Sequence, residues 1–226
     1  MSKLNVPPPP STTHLSSHQG ISYFPLTRLS SPCGRLTLDP FVLADVQSLY
    51  DISHVPFTGH ANAHPYFGGL PHHLDTPENC LFTIRTNTSP DGVTKLAGGP
   101  VVIGMIGYIA TVPGHLRTEM GHVWYDTRYR GTFVGKAAPA TLLKWAFEEL
   151  GFRRVEWKCD ERNKASRGAA ESIGFQFEGT FRKHMVVRDG FARTSWYLAM
   201  TDDDWHDSVK LKLWTKLGRD LADSSV

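Results

Sequence analysis

Between Glu119 and Phe175 the chain reads as strand, loop, helix, strand and helix, and the loop is the feature that most constrains the fold. Glu119-Met-Gly-His-Val-Trp-Tyr125 predicts a strand. Arg128-Tyr-Arg-Gly-Thr-Phe-Val-Gly135 is a basic, glycine-containing loop. The spacing from Lys136 to Leu150 predicts a helix with Leu142, Leu143, Ala146, Phe147 and Leu150 on one apolar face. Arg154 to Asp160 predicts a second strand, and a short helix is opened by Asn163 and closed by Gly174-Phe175. A loop that brings backbone N–H groups and cations to a helix start, directly after a strand, is a phosphate site. No Ser/His/Asp catalytic set competes with it. The strand–helix–strand connection also requires one parallel step in the sheet.

The rest of the chain supplies antiparallel partners. Leu36-Thr-Leu38 alternates as a first strand, and Asp39-Pro40 is expected to open a helix carrying Phe41, Val42, Val46, Leu49 and Tyr50. Residues 54–79, rich in His, Pro and Gly, predict a long loop and a wall for an acceptor. Cys80 to Thr86 is a strand, Ser89-Pro-Asp-Gly92 a turn, and Val101 to Val112 a long apolar strand. Pro113-Gly114 joins that strand to Glu119–Tyr125 as an antiparallel pair. Pro139 is expected in the first turn of its helix, where a missing N–H costs little. Both helices end in Gly-Phe, at Gly151-Phe152 and Gly174-Phe175, with Gly as the left-handed residue and Phe as the returning apolar contact. His184 to Val187 and Thr194 to Met200 predict a closing hairpin around Arg188-Asp-Gly190. Asp204 is expected to cap a terminal helix bearing Trp205, Val209, Leu213 and Leu217. The sum is a mixed α/β sheet, mostly antiparallel, with one parallel β-α-β step flanked by helices. Residues 1–22 are read as a disordered Pro/Ser-rich tail, 23–205 as one domain, and 206–226 as a C-terminal helix and tail.

Charge and cysteine usage exclude several classes. Thirteen Lys/Arg against seven Asp/Glu lie between Arg128 and Arg188, a net +6 in a chain of total +2, so the remainder carries −4. This basic half suits an anionic ligand. Its cations alternate with Glu148, Glu149, Glu156, Asp160 and Glu161, which argues against nucleic acid. Cys33, Cys80 and Cys159 are odd in number and far apart, which favours a reducing compartment over a disulfide framework, and no spacing suggests zinc. His64, His72 and His73 lie in a Pro/Gly loop and read as surface residues. No apolar run reaches the ~18 residues of a membrane span. A cytoplasmic location and a monomer or homodimer are expected.

The residues from Met120 to Phe175 resemble the acetyl-coenzyme A core of the GNAT N-acetyltransferase superfamily. The family's pyrophosphate motif, Arg/Gln-x-x-Gly-x-Gly/Ala, is similar to Arg130-Gly-Thr-Phe133-Val-Gly135. The following block resembles Asn163, Ser166 and Gly174-Phe175. Val123-Trp-Tyr125, Glu178-Gly179 and Trp205 are similar to the RimJ/RimL-like branch. The resemblance spans roughly Leu36 to Trp205 and implies a GNAT-type acyl-CoA N-acyltransferase fold. Two positions depart from the pattern. Phe133 replaces a Gly, whose missing side chain would let a phosphate approach more closely. Ala170 stands where many members carry a Tyr that protonates the leaving thiol.

The resemblance implies acetyl transfer from acetyl-CoA to a primary amine by direct attack, without a metal. Arg130, Gly131, Thr132, Phe133, Val134, Gly135 and Lys136 would hold the pyrophosphate. Val123, Trp124 and Tyr125 would bond the pantetheine arm, and Asn163 and Ser166 complete the cofactor side. Ser166 is the remaining hydroxyl for the leaving thiol. Glu119 and then His122 are the candidates for a base; alternation puts them on opposite faces of the strand, so at most one faces the site. The need for one depends on the acceptor. At pH 7 a lysine-like amine is about 0.04% neutral and an α-amine about 14%. The different-class alternative, motivated by Phe133 and Ala170, is a degenerate acyl-CoA-binding or regulatory module.

Overall fold

The computed structural model describes residues 23–53, 76–186, 190 and 192–218. Eight strands form one sheet: β1 (Leu29–Ser30), β2 (Leu36–Pro40), β3 (Cys80–Thr86), β4 (Val101–Val112), β5 (Arg117–Tyr125), β6 (Arg154–Asp160), β7 (Gln176–Val186) and β8 (Ala192–Thr201). Their spatial order is β1-β2-β3-β4-β5-β6-β8-β7, antiparallel throughout except for the parallel pair β5–β6. That pair flanks the crossover helix α2 (Val134–Lys144), which continues through a wider turn at Trp145–Glu149. The expected fold class is therefore the observed one.

Helix α1 (Asp45–Ser53) covers one face of the sheet, where Phe41, Leu49, Leu81, Val102 and Met105 form a small core. The larger core lies on the other face. There α2 and α3 (Lys164–Ser172) pack with a terminal helix α4, built of Asp202–Asp204, Trp205–Val209 and Lys210–Lys216. Tyr108 of β4 stacks on Trp145 at 5.7 Å between ring centroids and donates its hydroxyl to the Leu142 carbonyl. Trp205, Val209, Leu213 and Leu217, four residues apart, are all buried in this core.

Three local expectations are corrected. Asp39-Pro40 does not open a helix: both residues belong to β2, paired with Thr83 and Phe82, and α1 begins at Asp45. Pro tolerates the last position of a strand, and Asp39 is held there by Arg28 and Arg85. Pro139 is not in the first turn. The helix starts at Val134, so Pro139 is its sixth residue, and the N–H that would reach Gly135 is missing. The cap of α4 is Thr201, whose hydroxyl accepts from the Asp204 N–H at 3.2 Å while the Asp204 carboxylate accepts from the Thr201 N–H at 3.0 Å. Asp204 is the third residue of a capping box.

The two Gly-Phe helix ends behave as expected. Gly151 and Gly174 have φ of +68° and +106°, and the Phe152 and Phe175 N–H groups return to the carbonyls of Ala146 and Ala170. The expected loop at residues 54–79 falls, up to residue 75, outside the described residues. So do the tail at 1–22, His64, His72, His73 and most of the β7–β8 turn.

Candidate active site

The parallel pairing of β5 and β6 ends early, and the two strands part. β5 and β6 are in register only from Arg117–Arg154 to Glu119–Glu156. Beyond that point β5 stays with β4 and β6 stays with β8, so facing edges carry backbone groups with no partner strand. A bulge sharpens the divergence. Gly121 pairs with Gly107 and Trp124 with Met105, leaving an extra residue on β5, and His122 there has φ +51°. Bulges bend a strand and increase its twist. One consequence is that alternation from Glu119 fails at His122, so the expectation of opposite faces does not carry past Gly121. Val123 and Tyr125 pack toward the α2 side and Trp124 toward the α1 side.

The loop between β5 and α2 follows at the open end. Asp126, fully buried, caps a short turn by accepting from the Arg128 N–H, and it also binds the Arg128 guanidinium at 2.6 Å. Arg128 is thus neutralised within the loop. Arg130 is exposed and donates its Nε–H to the Tyr125 carbonyl at 3.1 Å, tying the loop to the end of β5. The Thr132 N–H returns to Tyr129 O, and the Lys136 N–H to Phe133 O. The N–H groups of Gly131, Phe133 and Gly135 take no protein acceptor among the described residues. These unpaired donors at the start of a helix fit a pyrophosphate. Phe133 does not obstruct them. Its ring packs against the larger core with the Arg35 guanidinium 5.6 Å from its centroid. Only its backbone remains for a ligand.

Asn163 caps α3 by accepting from the Ser166 N–H at 3.0 Å. The Ser166 hydroxyl oxygen accepts from the Trp157 indole N–H, also at 3.0 Å. Indole only donates, so Ser166 must accept there, and its own proton is left to go elsewhere. Ser166 therefore stands on β6's side of the opening with its oxygen fixed by Trp157 and its hydroxyl also bonded to the Cys159 thiol.

The α1 face of the opening carries a buried charge network that the sequence did not announce. Glu119 lies opposite Ile109, which packs beneath α1. Its carboxylate accepts from Lys158 Nζ at 2.8 Å, and Glu156 lies 2.9 Å from the same ammonium. The three side chains are 12%, 13% and 9% exposed. Arg154 and Arg117 also approach Glu156, at 3.0 and 3.5 Å. Burial pushes Glu119 above the ordinary carboxylate range, and the Lys158 bond only partly offsets it. For Glu156 burial acts in the same sense, but its hydrogen bonds to Lys158 and Arg154 outweigh it and hold the group below that range. Lys158 is raised: burial works against its charge, and the two carboxylates prevail.

The chain belongs to the GNAT acetyltransferase family, whose domain model matches residues 35–176. It is similar to the uncharacterized N-acetyltransferase YoaA of Bacillus subtilis, 30% identical over 84 residues that make up 37% of this chain and 47% of YoaA. The chain thus spans about half the length of the curated relatives it matches. A crystal structure from Chromobacterium violaceum, described as a GNAT-family acetyltransferase, is 29% identical with a TM-score of 0.67, covering 88% of this chain and 98% of that one. Mycobacterium smegmatis RimJ, solved with CoA-disulfide, shares the fold at 20% identity and a TM-score of 0.61, covering 85% of this chain and 94% of that one. The family uses acetyl-CoA as its acyl donor.

Proposed function

We propose that this protein transfers an acetyl group from acetyl-CoA to a primary amine, on a protein N-terminus or a small molecule, by direct attack in a ternary complex. The observation that carries the reading is the coincidence of two features at one end of the β5–β6 opening: strand edges with no partner strand and unpaired helix N-terminal donors. The RimJ/RimL-like resemblance points the same way.

When bound, acetyl-CoA supplies a thioester whose thiol leaves tolerably at a pKa near ~8.5. The protein's contribution is placement and charge. The N–H groups of Gly131, Phe133 and Gly135, with the Arg130 and Lys136 cations, would hold the pyrophosphate. The edge of β5 from Val123 to Tyr125 that faces away from β4 would align the pantetheine arm, and an N–H at the bulge would polarise the acetyl carbonyl. Alignment of this kind is worth effective molarities of about 10⁵–10⁸ M. Ser166 would give its proton to the departing sulfur. Glu119 serves the acceptor side differently from a free base. Its carboxylate is already bonded to Lys158, so a proton arriving there would displace that bond and leave the ammonium to Glu156 alone. We assign Glu119 to setting the field and shape of the acceptor face, and His122 to the bulge that aims the β5 backbone.

The test is titration calorimetry with acetyl-CoA, followed by a thiol-release screen over amine classes. Binding and turnover on an amine are expected. Binding without turnover on any amine would favour a degenerate acyl-CoA-binding module, and no binding at all would sink both readings.

A further inference from the structure

A second bulge on the same face places a hydrogen-bonded relay next to the Lys158 network. Phe181 pairs with Ser195 and Met185 with Arg193, so β7 advances four residues where β8 advances two. Lys183 turns the strand with φ +52°, a conformation uncommon for a residue with a side chain. In a regular strand Phe181 and His184 would face opposite ways. Here they meet edge to face at 5.8 Å, and both contact Tyr197: Phe181 stacks on it at 3.8 Å and His184 abuts it at 5.3 Å. Bulges that re-aim a side chain recur beside active sites.

The result is a three-membered chain. Tyr197 Oη lies 2.8 Å from His184 Nε2, and His184 Nδ1 lies 3.0 Å from Oγ of Ser195, which is buried. A neutral imidazole donates from one nitrogen and accepts at the other. The phenol is the more acidic hydroxyl and makes the shorter bond, so it donates to Nε2, and Nδ1–H donates to Ser195. Tyr197 then keeps its oxygen lone pairs for an external proton donor. Tyr197 pairs with Lys158 across β6–β8, and the Lys158 ammonium sits 5.0 Å from its ring. The relay thus lies one strand from the β5–β6 opening, on the Glu119 face.

We propose that Tyr197 is the catalytic residue that takes the acceptor's proton, that His184, oriented by Ser195, receives it through Tyr197, and that the acceptor is an α-amine. This rests on the acetyltransferase reading above. The proton balance is simple. An ammonium N–H passes its proton to the Tyr197 oxygen as the phenolic proton moves to Nε2, leaving imidazolium. The freed amine lone pair forms the C–N bond, the C–S bond breaks, and the sulfur takes the amine's second proton by way of Ser166. The imidazolium returns its proton to solvent.

The substrate class follows from matching proton affinities. Against an ordinary imidazole near ~6.5, an α-amine near ~7.8 is mismatched about 20-fold, and a lysine-like amine near ~10.4 about 8,000-fold. Burial, then the charges of Arg193 on β8 and Lys158 on β6, lowers His184 further and widens both gaps. Burial raises Tyr197, Lys158 works against that rise, and Glu119 of β5 and Glu156 of β6 add to it. Arg182 and Lys183 flank His184 on β7.

The test uses the full chain, Tyr197→Phe and His184→Gln, with acetyl-CoA and two probes: a short peptide with a free N-terminus, and Nα-acetyl-lysine amide. Calorimetry should show unchanged CoA binding in both variants. On the peptide, kcat/KM at pH 7 should fall about 100-fold in each, the low end for a proton-transfer group. The deficit should close as pH rises past the amine's own pKa. On the wild-type protein, ¹⁵N shifts of the ring should show Nδ1–H. An Nε2–H tautomer, a preference for the lysine probe, or variant pH profiles parallel to wild type would each overturn the relay. CoA binding without transfer to either probe would overturn the α-amine assignment. Absence of CoA binding by the wild type would instead fell the acetyltransferase reading itself.

Discussion

Replacing Lys158 by Met should expose how the acceptor face is held together. The substitution keeps the stem's volume and removes the ammonium. Glu156 keeps Arg154 and Arg117, so the change falls mainly on Glu119, which is 12% exposed and bonded to Lys158 at 2.8 Å. Breaking a buried ion pair by removing one partner costs about 3–5 kcal/mol. Glu119 has a way to limit that loss, because it can take a proton. Doing so at pH 7 from an unfolded-state value near ~4.3 costs about 3.7 kcal/mol at most. Residual exposure lowers the expectation to about 2–3 kcal/mol. The pH dependence carries the sign. Glu119's folded pKa is raised, so its ionisation opposes folding above that pKa, and the penalty disappears as pH falls through it. The variant should therefore recover toward wild type between pH 7 and pH 5, by up to about 1.4 kcal/mol per pH unit. Urea unfolding followed by tryptophan fluorescence would measure this. The double variant Lys158→Met/Glu119→Gln should regain most of the loss at pH 7. A loss under about 0.5 kcal/mol, or one independent of pH, would refute the claim that a buried pair governs this face.

Other outcomes follow from single contacts. Arg130→Ala removes an exposed loop cation bonded to the Tyr125 carbonyl, and should weaken CoA binding by about 1–3 kcal/mol in calorimetry, with little loss of stability. Ser166→Ala should lower kcat about tenfold to a hundredfold, and should also leave the buried Trp157 indole N–H without an acceptor, at about 1–3 kcal/mol. Ser166→Thr, which keeps a hydroxyl, should restore both kcat and stability, tying each loss to the hydroxyl group. Cys80 and Cys159 are buried, and burial pushes both thiols up, so thiol reagents should label half-exposed Cys33 first in the native protein, as peptide mapping would show.

The parts of the fold legible in the sequence were those with local chemistry. Cys80–Thr86, Val101–Val112 and Arg154–Asp160 have the bounds their apolar runs predict. The Gly-Phe endings mark two helix termini because only glycine reaches the left-handed C′ position without strain, and Phe then folds onto the helix it ends. What misled were residues with two local uses. Asp-Pro is a good helix opener, yet here Asp39 is worth more to the sheet as the partner of Arg28 and Arg85. Thr201 and Asp204 can each cap a helix, and the reciprocal box uses both. Pairing across distance decided these cases, and no window of local sequence contains it.

The same distinction explains why the site was half visible. The proposed cofactor side is built from consecutive residues, Arg130 to Lys136 and Asn163 to Ser166, so its pattern survives in one dimension. The acceptor side we propose is assembled across four strands: Glu119 from β5, Lys158 from β6, His184 from β7 and Tyr197 from β8. Its two key placements depend on bulges at His122 and Lys183, where period-two alternation breaks. A reading that alternates through Phe181 and His184 puts the two on opposite faces and misses their contact. Neither bulge carries glycine or asparagine at its positive-φ residue, the usual written sign of such a conformation. Strain at His122 lies beside the opening, and strain at Lys183, on the strand two places beyond β6, aims His184 at Tyr197; a functional constraint produces such strain when packing alone would favour regular strands. Deleting Arg182 and Lys183 together, which lets β7 advance two residues against two on β8, isolates that argument. It should restore alternation in β7, carry His184 away from Tyr197, and leave CoA binding intact while transfer to an α-amine falls as far as in Tyr197→Phe. Equal activity in the deletion variant would mean that the bulge serves the hairpin and not the chemistry.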